Sequence, residues 1–200
     1  ILCCPFDKRR NGIVFGEGAA FLVLEDLEHA QERKANILAE ISNFYTCFDA
    51  FRMNKYNPRG EGVKKAIFSV LKEGGLRPVD IDYICANANS TVKADKIETD
   101  AIKEVFGSHA KKIPVSSIKS MTGECYSVSS VFQAAAAIGA IREDFIPPTI
   151  NYQEKDPECD LDYVPNQARN KEVRNVLVIS FGPGGNNSCL IIKRLSLIHI

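Results

Sequence analysis

Between Gly62 and Gly75 the apolar positions Val63, Ala66, Ile67, Val70 and Leu71 recur at i, i+3, i+4, i+7 and i+8, the spacing of a helix with one buried face. Gly74 and Gly75 supply its C-terminal stop, and Pro78 lies just beyond. A second helix is expected over about 97–106, where Ile97, Ala101, Ile102, Val105 and Phe106 share one side. Tyr83 to Ala86 form an apolar run between the two, expected as a buried strand, and residues 113–116 predict another short strand. Residues 125–141, "CYSVSSVFQAAAAIGAI", carry almost no charge and are rich in Ala. They predict a helix opening at Cys125 that is apolar all round and therefore belongs in an interior. "NVLVIS" and "SCLIIK" predict two strands joined by a "FGPGGNN" hairpin. Nearer the start, the Gly-punctuated stretch 12–26 predicts a turn and then a buried strand from Ala20 to Leu24. "LEHAQERKANIL" reads as a short helix or connection, "AEISNFY" as a strand and residues 57–62 as a loop. Strands alternating with helices define the expected class as α/β.

Charge narrows the partners. The 25 basic and 25 acidic side chains cancel, which argues against nucleic acid or an anionic membrane, since both select a basic face. No apolar run approaches the roughly 20 residues that cross a bilayer. A 45% apolar chain of 200 residues can bury a sizeable core in one or two domains. The seven Cys show no Cys-x-x-Cys spacing and read as reduced thiols of a cytoplasmic protein. With three His, none close to a Cys pair, no metal site is expected. The opening "ILCCPFDKRR" lacks the charge-then-apolar order of a signal peptide and reads as the interior of a longer sequence.

The candidate chemistry lies where the strand at 83–86 ends. Asn87, Ala88, Asn89, Ser90 and Thr91 crowd small polar groups at the carboxyl end of a strand, the place where α/β folds meet ligands. The loop offers amides and hydroxyls but nothing that titrates near neutral pH.

Five segments carry a resemblance. "PFDKRRNGIVFGEGAAFLVLEDLEHAQER", "IETDAIKEVFG", "PVSSIKSMTGE", "IPPTINYQEKDPECDLDYVPNQAR" and "SFGPGGNNSCLIIKR" resemble, in order, an elongating β-ketoacyl-[acyl-carrier-protein] synthase, from about Pro5 to Arg194. The resemblance implies a thiolase-like fold of layered αβαβα architecture, mainly its second half. Residues 1–45 are then expected to end the N-terminal half, 46–195 to form the C-terminal half, and 196–200 ("SLIHI", with His199) to be a foreign tail. It also implies acyl groups delivered on the phosphopantetheine of an acyl carrier protein rather than a bound cofactor, and pairing with a ketosynthase subunit in a homo- or heterodimer. The family's nucleophilic Cys is expected upstream of residue 1, and none of the seven Cys here, Cys125 included, lies in a matching motif.

Carried over residue by residue, the resemblance exposes substitutions. The family's His-Gly-Thr-x-Thr loop corresponds to Asn87-Ala88-Asn89-Ser90-Thr91, so Asn87 stands in place of the first site His. The second site His follows Lys-Ser-Met-Thr-Gly, and here Glu124 follows Lys119-Ser120-Met121-Thr122-Gly123. An anionic Glu124 facing a malonyl carboxylate at about 4 Å would repel it by roughly 4 kcal/mol at an effective dielectric near 20. Lys119 is retained, and Glu124 is either its salt-bridge partner or a new site group. Asn87 is either an ordinary loop residue or a substituted donor. Gln133 stands where the family has Glu, while Asp95 and Glu98 match acidic positions. The Gly-rich turn that binds substrate in the family is Phe181-Gly182-Pro183-Gly184-Gly185, with Pro183 in place of a gating Phe. Lys111-Lys112 reads as a solvated turn or a contact for an acidic carrier protein.

Three functional readings follow. The first is a ketosynthase-like subunit without condensing activity, of the kind the family calls a chain-length factor, shaping acyl elongation in fatty-acid or polyketide synthesis. The second is an active β-ketoacyl synthase with a rewired site. The third is a truncated product with no function.

Overall fold

A computed structural model describes residues 2–195. In chain order the elements are α1 (Leu27–Glu32), β1 (Glu40–Phe48), α2 (Glu61–Glu73), β2 (Tyr83–Cys85), α3 (Val92–Phe106), β3 (Val115–Ser116), α4 (Lys119–Thr122), α5 (Ser129–Glu143), β4 (Phe145–Ile146), β5 (Arg169–Asn170), β6 (Asn175–Phe181) and β7 (Asn186–Lys193). Five strands form one sheet in the order β1-β7-β6-β2-β3, and β4 pairs with β5 separately. The β2–β3 and β2–β6 pairs are parallel, whereas β6–β7 and β1–β7 are antiparallel.

Helices α2 and α3 cover one face of this sheet and α5 the other, giving an α/β/α sandwich. The predicted face of α2 is the buried one, from Val63 to Leu71. Its end is built as expected: Gly75 takes φ +63, the Leu76 N–H donates to Leu71 O at 2.9 Å and the Gly75 N–H to Lys72 O at 3.2 Å. That pair of bonds satisfies carbonyls the helix would otherwise leave open. All three residues of β2 are buried, as suits a parallel strand with helices on both faces.

Three elements differ from their sequence patterns. Ala20–Leu24 belongs to no strand; Phe21 is 94% and Val23 86% exposed. Apolar content alone does not make a strand, because the backbone needs a partner, and none of the described strands lies along this segment. Helix α3 starts at Val92 rather than near 97, because its first turns bury Asp95, Glu98 and Thr99 alongside Ala94 and Ile97 and so break the apolar pattern. Helix α5 starts at Ser129; Cys125 precedes a 3₁₀ turn over Tyr126–Val128. Only one side of α5 is buried, through Gln133, Ala134, Ala137, Ala140 and Ile141, while Ala135 is exposed.

The N-terminal segment is part of the main core. Phe6 is fully buried and stacks on Tyr163 at 3.9 Å between ring centroids. Asp7, equally buried, accepts the backbone N–H groups of Arg9, Gln153 and Glu154, tying the two segments together. Strand β1 runs without a break through position 45/46. The expected tail at 196–200, with His199, lies outside the described residues. Among the described residues no helix is long and apolar enough to cross a membrane.

Candidate functional site

The loop after β2 is held by carboxyl groups from α3. Glu98 accepts the Asn87 N–H at 2.7 Å and the Ala88 N–H at 2.8 Å, and Asp95 accepts the Asn89 N–H at 3.1 Å. Ser90 takes φ +72, and Thr91 follows as the N-cap of α3 with no side-chain cap bond. The loop therefore gets its shape from buried acids together with its own side chains: Asn89 Oδ1 accepts the Thr91 N–H at 3.3 Å and Ser90 Oγ the Cys4 N–H at 3.2 Å.

On this frame the three principal candidates converge. Lys119, on α4, donates from Nζ to Asn87 Oδ1 at 3.0 Å and to Glu124 Oε2 at 2.8 Å. Glu124 Oε2 also accepts from Asn89 Nδ2 at 2.9 Å, and its Oε1 accepts from Ser129 Oγ at 2.7 Å and the Tyr126 N–H at 3.1 Å. Asn87 Nδ2 donates to Phe181 O at 3.0 Å. The ion pair is buried, with side-chain exposures of 3% for Lys119 and 9% for Glu124. Burial pushes the Glu124 carboxyl up, but the Lys119 ammonium and the hydrogen bonds from Lys119, Asn89 and Ser129 outweigh it and hold the group below its usual value. Glu124 is thus an ion neutralised by Lys119, which offsets the repulsion expected of an isolated carboxylate.

Each polar group here is occupied by a neighbour. The Asn87 amide spends its oxygen on Lys119 and its nitrogen on Phe181, and neither described His joins the network: His29 bonds Glu25, and His109 stacks on Phe106. Chemically the cluster holds charge in place: the Asn87 oxygen and both Glu124 oxygens are committed, and the N–H groups that Asn87, Asn89 and Lys119 keep beyond these bonds belong to an amide or to an ammonium already paired with Glu124, not to an imidazole.

The Gly-rich turn is only partly at this site. Phe181 reaches it through its carbonyl, whereas Pro183 and Gly184 sit exposed at the tip of the β6–β7 hairpin. The turn closes with Gly185 N–H to Gly182 O at 3.0 Å and Gly182 N–H to Asn186 O at 3.1 Å. Gly185 has φ +89, and a Cβ there would lie 2.2 Å from Asp49 O. Gly185→Ala should therefore cost about 2–3 kcal/mol in chemical denaturation, from backbone strain plus a contact with main chain that cannot swing away. A loss below about 1 kcal/mol would show the hairpin to be adaptable.

Tyr56 was not legible as a site residue: it is one aromatic in the polar stretch 54–61. It packs edge-on against Phe181 at 5.8 Å, beside a small cavity of about 20 Å³ lined also by Asn57, Val63, Ile97 and Gly185. Burial, with the Glu124, Asp95 and Glu98 charges adding to it, pushes its phenol up to about 12. The thiols are no better placed for proton transfer: burial raises Cys85 to about 12 and both Cys3 and Cys159 to about 11. All seven Cys are free.

The chain belongs to the β-ketoacyl synthase family: the model for the β-ketoacyl synthase C-terminal domain matches residues 38–153. It is 44% identical over 191 residues to 3-oxoacyl-[acyl-carrier-protein] synthase 2 of Coxiella burnetii (strain RSA 493 / Nine Mile phase I), covering 96% of this chain and 46% of that protein. It superposes with a TM-score of 0.94 and 36% identity on a structure described as a type II polyketide synthase acyl-carrier protein in complex with its ketosynthase bound to the hexaketide, covering 97% of this chain and 48% of that one. Against the ishigamide ketosynthase/chain length factor the TM-score is 0.93 at 39% identity, covering 98% of this chain and 48% of that chain. The fold is thiolase-like, and the chain spans about half the length of the proteins it matches.

Proposed function

We propose that the chain is part of a ketosynthase-like subunit of fatty-acid or polyketide synthesis whose condensing site is impaired, and that it works as a chain-length factor beside a ketosynthase partner. Its substrates would arrive on the phosphopantetheine of an acyl carrier protein, in the cytoplasm. One observation supports this reading: in the cluster Asn87–Lys119–Glu124 the Lys119 charge is cancelled by Glu124, and an amide tied to Lys119 and Phe181 and a carboxylate stand where the family's motifs have imidazoles. Decarboxylation of a malonyl group needs free donors aimed at the forming enolate, and each well-placed donor contributes about 10²–10³ in rate. The likeness to a ketosynthase/chain length factor supports the same reading. Phe181, Gly182, Pro183, Gly184, Gly185 and Thr91 would border the acyl path in this account.

The 44% identity to a 3-oxoacyl-[acyl-carrier-protein] synthase favours the second reading, an active enzyme with a rewired site. The two part on carbon dioxide release from malonyl-carrier protein by the purified protein. Background release, with a gain of at least about tenfold in the Asn87→His/Glu124→His double variant, is the expected result. Robust release by the unaltered protein, little changed in the variant, would establish the active enzyme instead.

A further inference from the structure

Gln133 is fully buried on α5, and its Nε2 lies where three main-chain carbonyls converge: Ala86 O at 2.8 Å, Ile179 O at 3.0 Å and Cys85 O at 3.3 Å. Its Oε1 is buried without a partner. The carbonyls belong to the carboxyl ends of β2 and β6 and to the residue after β2. The last paired residues of that ladder are Cys85 and Val178. Beyond them the strands diverge into the Asn87 loop and towards Phe181, and the Gln133 amide bridges the two where the next rung would lie. The Asn87 Nδ2 bond to Phe181 O crosses the same gap one step further on.

We propose that Gln133 is a positioning residue of this site: its neutral amide replaces the missing rung between β2 and β6 and so sets the distance between the Asn87 loop and Phe181. The inference does not depend on whether the site decarboxylates. An amide suits the position because it brings donors without charge. The carboxyl group that the family's motif carries at this position would turn its lone pairs on three carbonyl oxygens unless it were protonated or met by a cation, and a thioether would remove the donor Gln133 gives those oxygens.

Gln133→Glu is nearly isosteric and converts this into a pH signature. The titratable groups on the elements packed around α5 are Tyr83 and Cys85 on β2, Cys189 and Lys193 on β7, and Tyr126 in the preceding turn; Glu98 and Lys119 stand beyond β2 and act on the same region. None of these changes between the two proteins, so the difference between their melting temperatures isolates position 133. That gap should be smallest at pH 5, where a protonated Glu can donate one hydrogen bond, and should widen by at least about 5 °C by pH 8. In Gln133→Met, hydrogen exchange at the Asn87 side-chain amide should quicken at least about tenfold while the amides of α2, across the sheet, keep their protection. A pH-independent gap, failure of Gln133→Glu to fold at pH 5, or a destabilised Gln133→Met whose Asn87 amide stays protected would each reduce Gln133 to a space-filling core residue and overturn the proposal. If Gln133→Met does not fold, the pH series of Gln133→Glu decides.

Discussion

Lys119→Met should destabilise the protein by about 3–5 kcal/mol, the range for removing one partner of a buried ion pair. The cost comes mainly from what is left behind. Glu124 stays 9% exposed, still bonded by Asn89, Ser129 and the Tyr126 N–H but without a cation, and Asn87 Oδ1 loses its donor. Lys119→Met/Glu124→Gln should recover a good part of the loss, because the buried charge is then gone while Asn89 and Ser129 keep a polar partner. The check is the shift of the denaturation midpoint at constant slope, in low and in high salt, since a buried pair is screened little. A loss under about 1 kcal/mol, or one that vanishes in salt, would mean that water reaches the pair and that Lys119 is free to act on a ligand. This measurement therefore bears on function as well as stability.

How much was legible in the sequence differs from element to element. Helix α2 was readable because its buried face is wholly apolar and its stop is a pair of glycines. The start of α3 was not, since Asp95, Glu98 and Thr99 face inward and break the apolar period exactly where the site is built. That failure is informative: buried acids in a helix's first turns are there to hold the Asn87 loop. Ala20–Leu24 was misread because a period of apolar residues says nothing about whether a neighbouring strand exists. At the site, motif order located Asn87, Lys119 and Glu124, and the structure brings them into one network. Pro183 and Gly184 were placed with them but stand apart at the hairpin tip. Tyr56, Phe6 and Asp7 owe their places to partners distant in sequence, which no local pattern encodes.

The buried acids that hold the loop also set the pH response. Stability should be greatest in mildly acidic solution and fall by about 3–5 kcal/mol between about pH 4.5 and pH 8. Burial pushes the Glu98 carboxyl from 4.5 up to about 8; the Asn87 and Ala88 N–H bonds and the Lys119 charge pull it back, but do not prevail, and Asp95 adds repulsion. Burial likewise raises Asp95 from 3.8 to about 6, against the Phe6 N–H bond and the Arg10 charge. An acid whose folded value is raised contributes its full stability below its unfolded value and loses it as pH climbs through the folded one, so both groups act in the same direction across this window. The opposite sign belongs to Glu124 and Asp7, which the fold holds below their ordinary values; their contribution is lost only as pH falls below about 4. Urea unfolding at pH 5, 6.5 and 8 measures the slope. Glu98→Gln should be less stable at pH 5, because an amide oxygen can accept only one of the two loop N–H groups comfortably, yet should show a much flatter decline towards pH 8. A wild-type stability that is level from pH 5 to 8 would mean that Glu98 folds as an ion, so that the loop carrying Asn87 rests on a second buried charge rather than on a neutral carboxyl.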